Sequence, residues 1–438
     1  MMTKKWQLYP TYKDSGVEWL GAIPEHWEMV KFSHFIDFQE GPGIMADDFK
    51  DEGVPLLRIT NLKPGYVDIE GCNYLAIDKV EQKWKHFRLL ANDLLISCSA
   101  STGLVSIVDQ KSANSIAYTG IIRLRPARNN IARDFIRVLV GSDFYFTQIN
   151  QLKTGTTIQH YGPVHLKQIK IPIPPLPEQQ KIAQFLDRET GKIDKLITKK
   201  ERLIKLLKEK RTALISHAVT KGLNPDVPMK DSGVEWLGKI PEHWKVTLVK
   251  RVSSIFIPQR NKPELNTSEG LPWVTMEDMI NKEVNGSISG YLVNYKDAFI
   301  AGSKAIPKKC VIASCVGNFG VASVNTQSVI INQQLQAYIP VNIDPFFLRY
   351  LVSVSKSYFE RVCTVTTIVY VNREQFGELP VLLPPSEEQQ KIAQFLDRET
   401  SKIDNLITKT RTSIDHLKEY RTALISAAVT GKIDVREH

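Results

Sequence analysis

No stretch of eighteen apolar residues occurs in the 438-residue chain, so no segment of it reads as a transmembrane helix. The first residues, M-M-T-K-K-W-Q-L-Y-P, lack the apolar core of a secretory signal. Cysteine is scarce. Cys72, Cys98, Cys310, Cys315 and Cys363 form no C-x-x-C pair and no even framework, which argues against a disulfide scaffold and for reduced thiols in the cytoplasm. Catalytic signatures are missing as well. There is no G-x-x-x-x-G-K-[ST] phosphate loop, no H-E-x-x-H, no Cys/His zinc spacing and no [ND]-P-P-[FYW] tetrapeptide, and the nine histidines are scattered. No metal site and no cofactor is therefore expected on this chain. Positive charge, by contrast, is in excess. A net charge of +10 and a pI near 9.1 favour polyanionic partners, nucleic acid first, because phosphate contacts release condensed counterions.

The chain is written twice. Residues 178–220 recur as 388–430, both opening E-Q-Q-K-I-A-Q-F-L-D-R-E-T, and 33 of the 43 positions are identical, which marks a duplication. Leu186, Ile193, Leu207 and Leu214 recur in steps of seven or fourteen, as do Leu396, Ile403, Leu417 and Leu424. That is the period of a coiled-coil seam, so each copy is predicted to be one long helix of about 60 Å. Pro174, Pro175 and Pro177 precede the first copy, and Pro384 and Pro385 the second. Ser386 with Gln389 fits a capping box, and Gly222 and Gly431 lie just past the last periodic residues.

A shorter lead-in motif precedes each half. Residues 13–27 read K-D-S-G-V-E-W-L-G-A-I-P-E-H-W, and 230–244 repeat them with Lys239 in place of Ala22. Trp19, Trp27, Trp236 and Trp244 in these copies read as packing anchors, with a protein-partner contact as the other reading. Between motif and helix lie two longer heads, 28–176 and 245–385, both patterned as mixed α/β by short apolar runs broken by Gly and Pro. The heads echo one another: Gly53 matches Gly270, Ser97-Cys98 matches Ser314-Cys315, and Gly103 matches Gly320. They share a frame but have diverged, as two readers of different targets would.

Polar clusters beside basic residues are the candidate DNA contacts. In the first head these are Arg58, Asn61, Ser99, Ser101, Thr102, Lys153, Thr154, Thr156, Thr157, Gln159, His160 and Tyr161. In the second they are Arg260, Lys262, Thr275, Asn318, Thr364, Thr366, Thr367, Tyr370 and Asn372. Arg and Lys suit guanine edges, Asn and Gln suit adenine, and hydroxyls suit either. On the first helix Lys199, Lys200, Arg202, Lys205, Lys208, Lys210 and Arg211 form a charged face, either solvated or tracking backbone phosphate. Asp68, Glu81 and Lys83 are the nearest approach to a nuclease set.

The order motif, head, helix, motif, head, helix constrains assembly. The linker at 221–229 is short, and the second head must join the end of one helix to the start of the other. Short connections favour an antiparallel helix pair with a pseudo-twofold axis and the heads held apart.

With these repeats in place, the chain resembles the specificity subunits of type I restriction–modification systems, the HsdS family. The match is carried by the two S-G-V-E-W-L-G-x-I-P-E-H-W motifs, the P-P-L-P-E-Q-Q-K-I-A-Q-F-L-D and P-P-S-E-E-Q-Q-K-I-A-Q-F-L-D helix starts, and G-T-T at 155–157. Val365 replaces that segment's glycine in the second head. The resemblance implies an α+β fold: two mixed α/β target-recognition domains, 1–176 and 225–385, separated by two antiparallel coiled-coil spacer helices, 177–224 and 386–438. It implies a non-catalytic chain that reads a split, asymmetric double-stranded DNA site. Two methyltransferase subunits would carry S-adenosylmethionine for adenine N6 methylation, and ATP and Mg would serve a restriction subunit. The competing readings are a coiled-coil scaffold with protein-binding heads and a nuclease built on Asp68, Glu81 and Lys83.

Overall fold

The computed structural model describes residues 6–98, 104–152, 161–258, 261–365 and 369–437. The chain divides into two compact units, Met1–Lys200 with Arg411–His438, and Glu201–Thr410. A partition into heads and helices cuts the chain at the helix starts, whereas each compact unit holds one head with half of each long helix.

In the first unit the lead-in motif forms a small hairpin, β1 (Tyr12–Asp14) with β2 (Ala22–Pro24). There follow β3 (Glu28–Lys31), β4 (Ile36–Glu40), β5 (Leu94–Ser97), β6 (Val105–Ile107), β7 (Ile121–Pro126), α1 (Arg133–Val140), α2 (Asp143–Leu152), β8 (Lys170–Ile173) and α3 (Leu176–Lys221). The main sheet runs β6-β5-β7-β4, antiparallel throughout. The L-L-I-S run of β5 is apolar on both faces because cores lie on both sides of it. Leu94 and Ile96 join α1 and α2 in one core, and Leu95 faces a second core with Leu57, Leu89 and Ile121. Strand β8 pairs with β3, so the chain enters and leaves the head side by side.

The second unit repeats this plan with β9 (Met229–Asp231), β10 (Lys239–Pro241), β11 (Lys245–Leu248), β12 (Ser253–Phe256), β13 (Val311–Ser314), β14 (Ala322–Asn325), β15 (Leu335–Pro340), α4 (Pro345–Val354), α5 (Lys356–Val362), β16 (Pro380–Leu383) and α6 (Ser386–Val429). Its sheet runs β12-β15-β13-β14, with Glu283–Val284 added at the edge. Val311 and Ala313 face one core and Ile312 the other, the alternation seen in β5.

Within each unit α3 and α6 run antiparallel. In the first, Leu186 and Ile193 share a core with Leu417 and Leu424, and Arg421 donates to Asp194 at 2.9 Å. In the second, Ile215 and Val219 pack with Ile392 and Leu396, and Arg211 donates to Asp404 at 3.0 Å. Asp404 and Arg421 are the repeat copies of Asp194 and Arg211, so the two ion pairs are one contact with the copies exchanged. The buried seam positions of α6 include Leu396, Thr400, Ile403, Ile407 and Thr410 in one unit and Ile414, Leu417, Leu424 and Ala428 in the other. Their alternating steps of four and three are the heptad expected of a coiled coil. On α3 the seam is less dry, for Leu207 and Leu214 are half-buried.

The helix starts are clamped to the lead-in motifs. The buried Glu178 carboxylate accepts from Trp27 Nε1 (3.0 Å) and the Tyr9 hydroxyl (2.6 Å) and lies 2.8 Å from His26 Nε2. Glu388 accepts from Trp244 Nε1 (3.1 Å) and lies 2.9 Å from His243 Nε2. The acidic groups also suit the positive ends of the helix dipoles. Gln389, expected in a capping box with Ser386, instead donates to Pro384 O and accepts from Asp344 N–H, docking α6 on the start of α4. Gln179 does the same at α3, on Pro174 O and Ala132 N–H.

Candidate nucleic-acid interface

Among the described residues, the candidates of each head lie near one end of the central strands of its main sheet. In the first head β5 ends at Ser97, and Cys98 N–H donates to Gly120 O at 2.8 Å. Tyr161 N–H donates to Cys98 O at 3.1 Å, and the Tyr161 hydroxyl donates to Ser97 O at 2.8 Å. The segments leaving Cys98 and arriving at Tyr161 are thereby rooted at one point. Tyr118 N–H donates to Leu57 O at 2.9 Å, which brings the turn carrying Arg58 to the same edge.

The second head has the same joints. Cys315 N–H donates to Gln334 O (3.0 Å), Val371 N–H to Cys315 O (2.9 Å) and Asn332 N–H to Val274 O (3.0 Å). Thr364 and Tyr370 exchange backbone hydrogen bonds, and Val316 bridges to Tyr370. Asn318, Thr364 and Tyr370 are therefore neighbours, with Thr275 beside Asn332. Gln333 Nε2 donates to Asn261 O at 2.7 Å, which places the exposed Lys262 nearby.

Two sequence candidates are corrected. Asn61 is 5% exposed, and its side chain accepts Arg58 N–H at 2.8 Å and donates to Asp68 O at 2.9 Å. Asp278 holds the same turn in the second head, accepting Thr275 N–H. Tyr161 is 2% exposed and its hydroxyl is engaged at Ser97, so its role is to root a loop. Asn372 caps the short helix Arg373–Gly377 by accepting Gln375 N–H at 2.9 Å. Arg58 is exposed, its guanidinium 5.1 Å from the centre of the Phe49 ring. Ser99, Ser101, Thr102, Lys153, Thr154, Thr156, Thr157, Gln159, His160, Arg260, Thr366 and Thr367 lie outside the described residues.

Burial pushes the Cys98 thiol far above its ordinary value, with the Glu40 charge adding to the effect, and burial pushes Cys315 up to about 11. Both thiols are packing groups at the loop roots. Of the proposed nuclease set, Glu81 is paired with Arg88 and Lys85, and Asp68 accepts Glu70 N–H. Among the described residues no group of three His, Cys, Asp or Glu side chains could hold a metal ion, and no helix is long and apolar enough to cross a membrane. Lys199, Arg202, Lys205, Lys208 and Lys210 are exposed on α3, while Arg211 is paired with Asp404. The sequence reading missed Glu40, whose side chain lies at the same edge of the first head as Cys98 and Gly120. It also missed Glu178 and Glu388, although the doubled His-Trp pairs and the doubled E-Q-Q were their signal.

Comparison with known proteins agrees with this architecture. A family model for the type I restriction modification DNA specificity domain matches residues 24–206 and again 241–416. The putative type I restriction enzyme MjaX specificity subunit of Methanocaldococcus jannaschii is 26% identical over 432 residues, 95% of this chain and 96% of that one. The EcoBI specificity subunit of Escherichia coli is 20% identical over 96% of this chain and 89% of its own length. A chain solved in a study of complex assembly and conformational transition of the type I R-M system superposes with a TM-score of 0.76 at 17% identity, covering 94% of this chain and 99% of that one. The HsdS subunit of Thermoanaerobacter tengcongensis superposes with a TM-score of 0.57 at 17% identity, over 94% and 98%. With two specificity domains that together span most of its length, the chain belongs to the type I restriction–modification specificity subunits, the DNA-recognition and non-catalytic members of those systems.

Proposed function

We propose that each head reads one half of a bipartite, asymmetric double-stranded DNA site and that the helix pair sets the unread gap. The observation that carries this reading is the shared construction of the heads. Each ties the strand end at Cys98 or Cys315 to the chain at Tyr161 or Val371, and the turn after Leu57 or Val274 to a neighbouring strand, through matching backbone joints, while the sequences of the two heads differ there. The net charge of +10 supports a phosphate-bearing partner. Two adenine-N6 methyltransferase subunits dock on the repeated helices and lead-in motifs, and an ATP-dependent restriction subunit joins through them in the cytoplasm. S-adenosylmethionine, ATP and Mg belong to those partners, and this chain binds none of them.

Binding to duplexes in which the two half-sites are moved apart tests the reading. Half-site centres about one helical turn apart, ~10 bp, are expected to bind best. Inserting two base pairs in the gap should reduce binding at least tenfold, with a steep fall in affinity as salt rises. Binding indifferent to gap length and salt would replace this reading with a protein-binding scaffold.

A further inference from the structure

We propose that Glu40 is a base-reading residue of the first head, its carboxylate accepting the exocyclic amine of a cytosine. The proposal rests on the heads being DNA readers, as argued above. Glu40 is the last residue of β4, paired across the sheet with Ile122. Its Oε1 accepts Gly120 N–H at 3.0 Å and the Thr119 hydroxyl at 3.3 Å. The carboxylate therefore stands on the turn to which Cys98 is tied. A Cβ added at Gly162, next to the root residue Tyr161, would stand 3.5 Å from Oε2. The next residue fixes this placement, since a Cβ at Gly41 would meet Ala117 O at 2.0 Å. Among the described residues Oε2 has no hydrogen-bond partner, and the side chain is part-exposed.

On a head that meets DNA a carboxylate is repelled by the phosphates, and it fits only where a base edge brings a donor. Cytosine N4 in the major groove is the donor that Glu and Asp match. Oε1 is held by the turn, which leaves Oε2 as the accepting atom at a fixed place. The second head has Ile257 at the corresponding position, so this contact would distinguish the two half-sites.

The test is selection of bound duplexes from a random pool by the full chain, as wild type, E40Q and E40A, followed by sequencing. Glutamine keeps an acceptor for Gly120 N–H, so the turn survives in E40Q. The wild type is expected to enrich a two-part motif with an invariant cytosine in one half. E40Q should lose that preference roughly tenfold or more, with adenine gaining because a Gln amide both donates and accepts, and the other half unchanged. E40A should lose the cytosine preference without a replacement. Unchanged motifs in both variants, or a wild-type half-site without cytosine, overturn the proposal. So does a uniform loss of binding to every sequence, which marks a structural or phosphate-side role. A wild-type chain that enriches no two-part motif fails at the earlier reading, and the proposal falls with it.

Discussion

Glu178 and Glu388 occupy one position of the repeat, and each receives a Trp and a His from its lead-in motif. Their surroundings differ. Glu178 has a side chain 7% exposed and takes a third donor from Tyr9, and Arg436 lies over the Tyr9 ring at 5.0 Å. Glu388 has a side chain 29% exposed and stands where the repeat offers Asp226, not a tyrosine. Asp434 N–H donates to Gln7 O, so the segment after α6 covers the first clamp. The same motif thus makes a buried node in one unit and a part-open one in the other. The repeat supplies the shared contacts, and residues outside it decide how dry they are.

Removing the carboxylates should separate the two nodes most clearly. Glu178→Ala strands the buried Tyr9 and Trp27 donors and is expected to cost about 3 kcal/mol or more, against about 1 kcal/mol for Glu388→Ala, whose node is part-open. Urea unfolding gives the totals, and hydrogen exchange at 9–35 and 226–252 assigns each loss to its unit. Equal losses would break the comparison. In the seam, Leu417 is 6% exposed whereas its repeat copy Leu207 is half-buried. Leu417→Ala should cost about 3 kcal/mol and Leu207→Ala about 1 kcal/mol, read from the same urea midpoints.

The helix-ending glycines sharpen the contrast further. Gly431 has φ +71° and a Cβ there would meet the Pro24 ring at 2.3 Å; Gly222 has φ +76° and meets Glu388 Oε1 and the Trp244 ring at 3.3 Å. Alanine at either is strained, but Gly431→Ala should cost about 2 kcal/mol and Gly222→Ala about 1 kcal/mol in thermal unfolding. The smallest effect concerns pH. Burial alone would raise the Asp434 carboxyl, but hydrogen bonds and charge from Arg436 outweigh it and hold the group below its ordinary range. A folded value below the unfolded one, about 3.9, gives stability that is present above that pH and is lost as pH falls through the folded value. Asp434→Asn should therefore lower stability by about 1 kcal/mol at pH 7, and the two proteins should converge once the pH has fallen below the folded value.

Much of this architecture was legible in the sequence. Heptad spacing marks the long helices because a seam needs an apolar residue at alternating steps of three and four, and duplicated tryptophans marked the clamps. Residue type alone misled at Asn61 and Tyr161. An amide that holds its own turn and a phenol that roots a loop look the same in sequence as ones that face a ligand. Pattern reading placed Gln389 in a local cap, whereas a partner 45 residues away in sequence, Asp344, holds it. The parallel joint between Val54–Leu57 and Ile116–Ala117, which brings Arg58 to the loop edge, joins residues too distant in sequence for periodicity to connect.

The exchanged ion pairs, Asp194 with Arg421 and Arg211 with Asp404, carry a consequence for how such a chain can drift. Each copy of the helix must fit the other, so a change in one meets an unaltered counterpart and is felt at once. The helices are thus obliged to keep a common spelling. The heads lie outside that mutual grammar, and their vocabulary is free to part.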